Sequence, residues 1–423
     1  MKFSNKSKPM LYYLFELLKK YDIPGQGLMT YFSFRAILAN VIAIIVAYFF
    51  GKRVIKWLHK RQIGETVRNL GLEGQMSKAG TPTMGGVIII VALLVAALLV
   101  CDLSNVYVQL LILTTVWCGG LGFADDYIMV FKHNKDGLSE GKKLIGQFIL
   151  GIVIAGTVCF SPNIVVRQEV EQAEQVIEAG TPTGEVDHGR YVSEDVIKST
   201  KTTIPFVKSH EFDYKYLIPF KGAFGWYCRW ALYALVIIFI ILACSNGANL
   251  TDGMDGLSAG TSAIVGVVIG ILAWLGGNVI DASYLNIMYI PGSGETAVFM
   301  AAFVGALVGF LWFNTFPAQV FMGDTGSLMI GGVIGVSAVL IRKELLLPIL
   351  CGIFLVESLS VILQRGHFRY TKRKYGEGRR LFLMAPLHHH FQKQSIPEPR
   401  IVVRFWLVGI VLAVGTLALL KIR

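Results

Sequence analysis

The chain has 423 residues, 54% of them hydrophobic and only 16% charged, with a formal net charge of +11. Its apolar residues come in long unbroken runs, which excludes a soluble globular domain and the alternating strands of a membrane barrel. The basic excess sits mostly in short loops between those runs and no basic patch with interleaved aromatics lies outside them, so it points to topology and anionic ligands, with no nucleic acid as a partner.

A helix needs roughly 18–20 apolar residues to cross ~30 Å of hydrocarbon. By that measure the runs predict ten transmembrane helices, over residues 32–50, 85–101, 107–124, 144–160, 229–245, 257–275, 297–313, 328–341, 346–363 and 401–420. The expected fold is an all-α polytopic integral membrane protein, a single transmembrane catalytic domain over 1–423. The connections 51–84, 125–143, 246–256, 314–327 and 364–400 are polar, and each follows an odd-numbered helix. All five therefore fall on one side of the bilayer by parity alone. Lys52, Arg53, Lys56, Lys60, Arg61 and Arg68 crowd the first, and Arg365 to Arg380 the last. The positive-inside rule makes this side cytoplasmic and both termini periplasmic.

Lys78–Gly86 (Lys-Ala-Gly-Thr-Pro-Thr-Met-Gly-Gly) precedes the second helix. A glycine-rich turn at a helix start presents backbone amides to anions, and Lys78 adds charge, although the Walker order is absent. Asp125 and Asp126 end the third helix in Gly-Phe-Ala-Asp-Asp-Tyr. Adjacent carboxylates beside hydrocarbon are costly and mark a site for a divalent cation or for proton abstraction. Residues 161–228 are rich in Glu, Thr, Val and Lys and read as an inserted periplasmic loop or small subdomain, with short strands around 202–220 and a turn at 181–184.

Asn249–Gly256 (Asn-Leu-Thr-Asp-Gly-Met-Asp-Gly) follows the fifth helix and places Asp252 and Asp255 on one side of a turn, while glycines such as Gly253 let backbone approach a ligand. It lacks the later bidentate Glu of a calcium loop. Asp324 stands in Phe321–Ser327 (Phe-Met-Gly-Asp-Thr-Gly-Ser), a lone acid in a glycine-rich loop, which suits magnesium's preference for one or two carboxylates plus waters and phosphates. Gly331, Gly332 and Gly335 allow close helix packing in the eighth span. His388, His389 and His390 cannot all face one metal from a regular helix, and imidazoles bind phosphate or sugar oxygens instead. Acidic loops, lysines and histidines on one membrane face fit magnesium-assisted phosphoryl transfer, which is mostly positioning and charge neutralisation.

In order and spacing these motifs closely resemble the phospho-N-acetylmuramoyl-pentapeptide transferases, a family of the polyprenyl-phosphate N-acetylhexosamine-1-phosphate transferases. The resemblance covers roughly 30–160 and 229–423. It implies ten transmembrane helices, a homodimer and a Mg2+-dependent site on the cytoplasmic face of the bacterial inner membrane. The implied partners are UDP-N-acetylmuramoyl-pentapeptide (UDP-MurNAc-pentapeptide) and undecaprenyl phosphate, and the products UMP and lipid I. Carried over by motif, Asp324 is the metal ligand and Asp125 the base or nucleophile, with Asp126, Asp252 and His388 as further catalytic candidates. Lys78, Thr83, Asn249, Gly253, Asp255, Asn314 and Phe321 match the nucleotide side, and Gln364, His389 and His390 the sugar and peptide side. A sister transferase using UDP-N-acetylglucosamine would share the acidic loops, but Pro386–Phe391 favours the muramoyl branch. An ion-coupled transporter would place its acids near the midplane and show inverted repeats.

Overall fold

The computed structural model describes residues 9–11, 27–60, 78, 80–132, 134, 137–169, 192–205, 211–285 and 287–420. Each of the ten expected spans falls on a helix. The main helices are α1 (Phe32–Lys60), α2 (Gly86–Val100), α3 (Val106–Phe131), α4 (Glu140–Phe160), α5 (Gly222–Thr251), α6 (Leu257–Gly277), α8 (Gly294–Asn314), α9 (Gly323–Leu340), α11 (Gly352–Tyr375) and α13 (Glu398–Ala418); α7 (Val279–Leu285), α10 (Leu347–Leu350) and α12 (Leu387–Gln392) are short. Among the described residues eight helices are long and apolar enough to span a membrane, and nine if Glu344–Leu350 and α11, bent by 76° at their junction, count as one. At 15 residues α2 is about 22 Å long at 1.5 Å per residue, short of the hydrocarbon thickness.

Several helices outrun their apolar runs. α1 continues to Lys60, α3 to Phe131, α5 to Thr251 and α11 to Tyr375. Hydropathy reports where hydrocarbon ends, whereas a helix goes on until its backbone finds another partner. Asp125 and Asp126 thus lie within α3, and not in the connection that begins at 125 in the sequence reading.

α9 is the buried centre, packed on α3 and α5, while α8 is wrapped by α1, α2 and α6. The expected glycine packing is present: a Cβ on Gly331 would fall 2.1 Å from the Cys244 carbonyl oxygen, and one on Gly332 2.8 Å from Cys118 Sγ. The insert carries two antiparallel pairs, β1 (Val166–Glu169) with β2 (Val192–Ile197) and β3 (Lys201–Thr203) with β4 (Glu211–Asp213). The second pair matches the expected strands; the expected turn at 181–184 lies outside the described residues. Thr203 N–H donates to the Arg342 carbonyl (3.0 Å), which docks the insert onto the α9 end remote from Asp324.

At that same end Arg35 of α1 forms a bidentate pair with Glu295 of α8 (Nη1–Oε1 2.7 Å, Nη2–Oε2 2.6 Å). Arg35 also donates to the Val100 carbonyl at the end of α2, and Glu295 Oε2 accepts the Asp102 amide. Both side chains are buried, so removing one leaves an uncompensated charge. Arg35→Leu should lower stability by about 3–5 kcal/mol, read as earlier thermal unfolding of the detergent-purified protein, and a double Arg35→Leu/Glu295→Leu variant should recover much of the loss. A single variant as stable as the parent would show that the pair does not tie these helices.

Candidate active site

Two ion-paired clusters form where the C-terminal ends of α3 and α5 meet the N-terminal end of α9. In the first, one oxygen each from Asp125, Asp126 and Asp324 lie within 4.8 Å of one another. Lys143 Nζ, from the first turn of α4, bridges Asp125 Oδ2 (2.8 Å) and Asp324 Oδ2 (2.6 Å). Asn249 Nδ2, near the end of α5, donates to Asp324 Oδ1 (2.7 Å) and to Ser327 Oγ (2.9 Å).

Glycines create this convergence. A Cβ on Gly122 would lie 2.1 Å from the Asp324 carbonyl oxygen, so α3 and α9 meet backbone to backbone one turn before Asp126. Gly323 has φ +72°, which a glycine adopts without strain, and a Cβ there would press on Asp126 Oδ2 at 2.5 Å.

The two adjacent aspartates have different surroundings. Asp126 is fully buried, and its oxygens accept the Asp324 amide (3.1 Å), the Thr325 amide (3.0 Å) and the Thr325 hydroxyl (2.5 Å). That is the bonding of a structural anchor. Asp125 accepts the Leu138 amide through Oδ1 and faces Lys143 through Oδ2. Asp324 is the most accessible of the three, with a side chain 20% exposed.

In the second cluster Lys78 Nζ meets Asp255 Oδ1 and Glu398 Oε1, both at 2.6 Å. Glu398, at the start of α13, also accepts the Asp255 amide (2.8 Å), and Asp255 Oδ2 accepts the Ala318 amide (3.0 Å). Asn314 takes the Gly256 amide on its side-chain oxygen (3.0 Å) and donates to the Val320 carbonyl (2.9 Å). Phe321 presents its ring 5.9 Å from Lys78 Nζ and is fixed by backbone bonds to Pro82 and Gly85. Thr83 is buried in the same strap between Pro82 and Gly85. A cavity of about 300 Å³ opens beside this strap, lined by Ile55, His59, Gly80, Thr81, Ala318 and Gln319.

The three histidines separate as a helical turn requires. His388 is fully buried; its Nδ1 lies 3.1 Å from Glu357 Oε2 of α11 without hydrogen-bond alignment, and its backbone amide donates to Glu357 Oε1 (3.2 Å). Its Nε2 has no hydrogen-bond partner among the described residues and points at Gly253, where a Cβ would lie 2.1 Å away. His389 contacts Gln392 (3.1 Å), and burial, then the nearby charges of His388 and Lys78, push its pKa down to about 4. It is therefore a neutral hydrogen-bonding group at pH 7. His390 Nδ1 accepts the Leu383 amide (3.1 Å). Gln364 accepts the Leu381 and Phe382 amides and donates to the Phe382 carbonyl, pinning the 381–383 loop. Asp252 ends α5, half-buried, and lies outside the carboxylate trio.

Sequence reasoning missed Lys143, Glu398, Glu357 and Thr325. Lys143 stands in Ser-Glu-Gly-Lys-Lys, where two lysines read as topological charge, and Glu398 in Pro-Glu-Pro, where it reads as a helix start.

A bundle of membrane helices that gathers carboxylates and lysines at one end has the make-up of a membrane-embedded phosphotransferase. The glycosyl transferase family 4 model matches residues 196–342, and the phospho-N-acetylmuramoyl-pentapeptide-transferase signature 1 matches 78–90. Proteins named phospho-N-acetylmuramoyl-pentapeptide-transferase from Parabacteroides distasonis, Flavobacterium psychrophilum and Porphyromonas gingivalis are 54%, 53% and 51% identical, each over 98% of this chain and 100% of the relative. The chain belongs to the phospho-N-acetylmuramoyl-pentapeptide-transferase family, and it is a multi-pass membrane enzyme.

Two outcomes follow from this geometry. Lys143→Gln removes the ammonium that bridges Asp125 and Asp324 and should lower kcat by about 10²–10³-fold, the scale of losing one preorganised electrostatic group; turnover within twofold of the parent would take Lys143 out of the site. For His389 the folded pKa lies below the ordinary value of 6.5. The unfolded state then binds more protons between about pH 6.5 and 4, so stability falls as pH drops through that window. Thermal unfolding of His389→Gln should show a shallower acid slope there, and an unchanged slope would assign the titration elsewhere.

Proposed function

We propose that this enzyme transfers phospho-N-acetylmuramoyl-pentapeptide from UDP-MurNAc-pentapeptide to undecaprenyl phosphate, giving lipid I and UMP. The observation that carries this reading is the Asp125–Asp126–Asp324 trio with Lys143 between two of its members, at one end of the helices. Three carboxylates against one ammonium leave negative charge in excess, and a diphosphate substrate adds more. A hard divalent cation resolves that conflict, and carboxylate oxygens suit Mg2+. Asp324, with Asp125 beside it, would hold the ion; Asp126 is already occupied by backbone and hydroxyl donors. When bound, Mg2+ neutralises phosphate charge during transfer.

In the reaction an oxygen of the lipid phosphate forms a bond to the β-phosphorus of the sugar nucleotide. The bond from that phosphorus to the oxygen bridging it to UMP breaks, and the electron pair leaves with UMP. Asp125 accepts the proton of any lipid phosphate that arrives protonated. Direct attack is favoured over a phospho-enzyme because a lipid phosphate is already largely ionised at neutral pH and can attack without a covalent relay. Lys78, Asp255, Asn314 and Phe321 form the nucleotide side, with the Phe321 ring as a stacking surface for uracil. Neutral His389, with His390 and the loop pinned by Gln364, faces sugar and peptide, and His388 braces the Gly253 loop.

In this reading the site is on the cytoplasmic face of the inner membrane, the insert and both termini are periplasmic, the whole chain is one catalytic domain, and the enzyme works as a homodimer. Purified enzyme given undecaprenyl phosphate and either UDP-MurNAc-pentapeptide or UDP-N-acetylglucosamine should release UMP with the first only, and only with Mg2+. Asp324→Ala should abolish release. Release from UDP-N-acetylglucosamine would move the enzyme to the sister branch, and near-normal turnover of Asp324→Ala with Mg2+ would remove that residue from the metal.

A further inference from the structure

At the end of α5 remote from Asn249 the chain forms a second cavity, of about 250 Å³, lined by Lys215, Phe220, Gly225, Trp226 and Arg229 among others. Arg229 lies 20 residues before Asn249 on the same helix, so about 30 Å separates this cavity from the carboxylate trio at 1.5 Å per residue. The distance matches a hydrocarbon core, which puts the cavity at the opposite membrane surface. Arg229 Nε is buried there and has no hydrogen-bond partner among the described residues. The Lys215 side chain is 51% exposed and only loosely held, its Nζ 3.5 Å from Oδ2 of Asp213, a carboxylate whose Oδ1 already takes the Thr200 hydroxyl and the Lys215 amide. Tyr216, Phe220, Phe224, Trp226 and Tyr227 are all strongly exposed around it. Exposed aromatics of this kind sit at headgroup level. The backbone folds tightly enough for a Cβ on Gly225 to strike the Phe220 carbonyl at 2.1 Å, which forms the floor of the cavity.

We infer that this cavity binds the phosphate of an anionic glycerophospholipid from the leaflet opposite the active site. A buried guanidinium N–H without a partner is costly, and a phosphate oxygen is its complementary acceptor. Two cations favour a net anionic headgroup over a zwitterion, whose choline would face Arg229 and Lys215. The aromatic rim gives the acyl chains an apolar exit.

The test uses the full-length protein, stripped of lipid in detergent and titrated with phosphatidylglycerol or phosphatidylcholine while bound lipids are counted by native mass spectrometry. The parent should retain at least one phosphatidylglycerol molecule under conditions that strip phosphatidylcholine. Lys215→Gln/Arg229→Gln should weaken that binding step about tenfold or more, as loss of a charged hydrogen bond does, and Arg229→Lys should retain part of it. Transferase turnover and thermal unfolding of each variant report folding, and turnover should stay at the parent level because the cavity is remote from the chemistry. Equal retention of phosphatidylglycerol by the parent and a folded double variant would overturn the site. Displacement of the lipid by inorganic phosphate alone would overturn the lipid assignment, because the headgroup would then contribute nothing beyond its anion.

Discussion

The start of α9 has to end inside the protein, and Asp126 is what makes that possible. A helix N-terminus leaves its first amides without intrahelical partners and carries partial positive charge. The residue before α9, Met322, provides no side-chain cap. Asp126 supplies one from α3, taking the amides of Asp324 and Thr325 and the Thr325 hydroxyl on one buried carboxylate. Its own charge is compensated by the same dipole. The consequence is positional: once the cap is made, Asp324 can only stand beside Asp125, within reach of Lys143 and Asn249. One buried carboxylate therefore places another, more accessible one.

The same logic explains which residues were legible in the sequence. Hydropathy located the apolar helices, eight or nine of them long enough to span a membrane among the described residues, and parity grouped the acidic motifs, because both follow from the bilayer's thickness and not from side-chain detail. Motifs in glycine-rich settings were visible since Asp125, Asp255 and Asp324 are expensive near lipid. Division of labour between neighbours was not visible. Asp125 and Asp126 are identical in type and adjacent, yet a rotation of about 100° per residue sends one to Lys143 and the other to the α9 terminus. His388, His389 and His390 diverge for the same reason. Lys143 and Glu398 escaped because their meaning depends on partners 181 and 320 positions away. Arg35 and Glu295 sit inside or beside apolar runs that are read as uniform.

Both lysines of the site are shared between two acids, Lys143 by Asp125 and Asp324, Lys78 by Asp255 and Glu398. Such pairs hold a charge in place at low dielectric without leaving it bare. In the proposed reaction a bound divalent cation would supply positive charge to the acids, and the lysines would meet the diphosphate of the substrate. Each side chain would then exchange one ionic partner for another, with little charge to desolvate anew. This favours binding of nucleotide and ion together over either alone.

The two ends of the bundle treat charge differently, and the difference assigns chemistry to one of them. At the far end Arg35 and Glu295 are matched one to one, bidentate, with further bonds to the Val100 carbonyl and the Asp102 amide. Lys343 is closed off by Thr203, and the carbonyl of Arg342 by Thr202 and Thr203. These bonds fasten the helices and the insert, and among the described residues no second group of three metal-ligating side chains gathers there. At the near end the acids outnumber the lysine between them, Asp324 remains accessible, and glycines let the backbones close around it. An excess of one sign at a place where solvent and membrane surface meet is stable only in exchange with a ligand of the other sign. That is the physical reason to place phosphoryl transfer there, and it holds whichever nucleotide sugar the enzyme accepts.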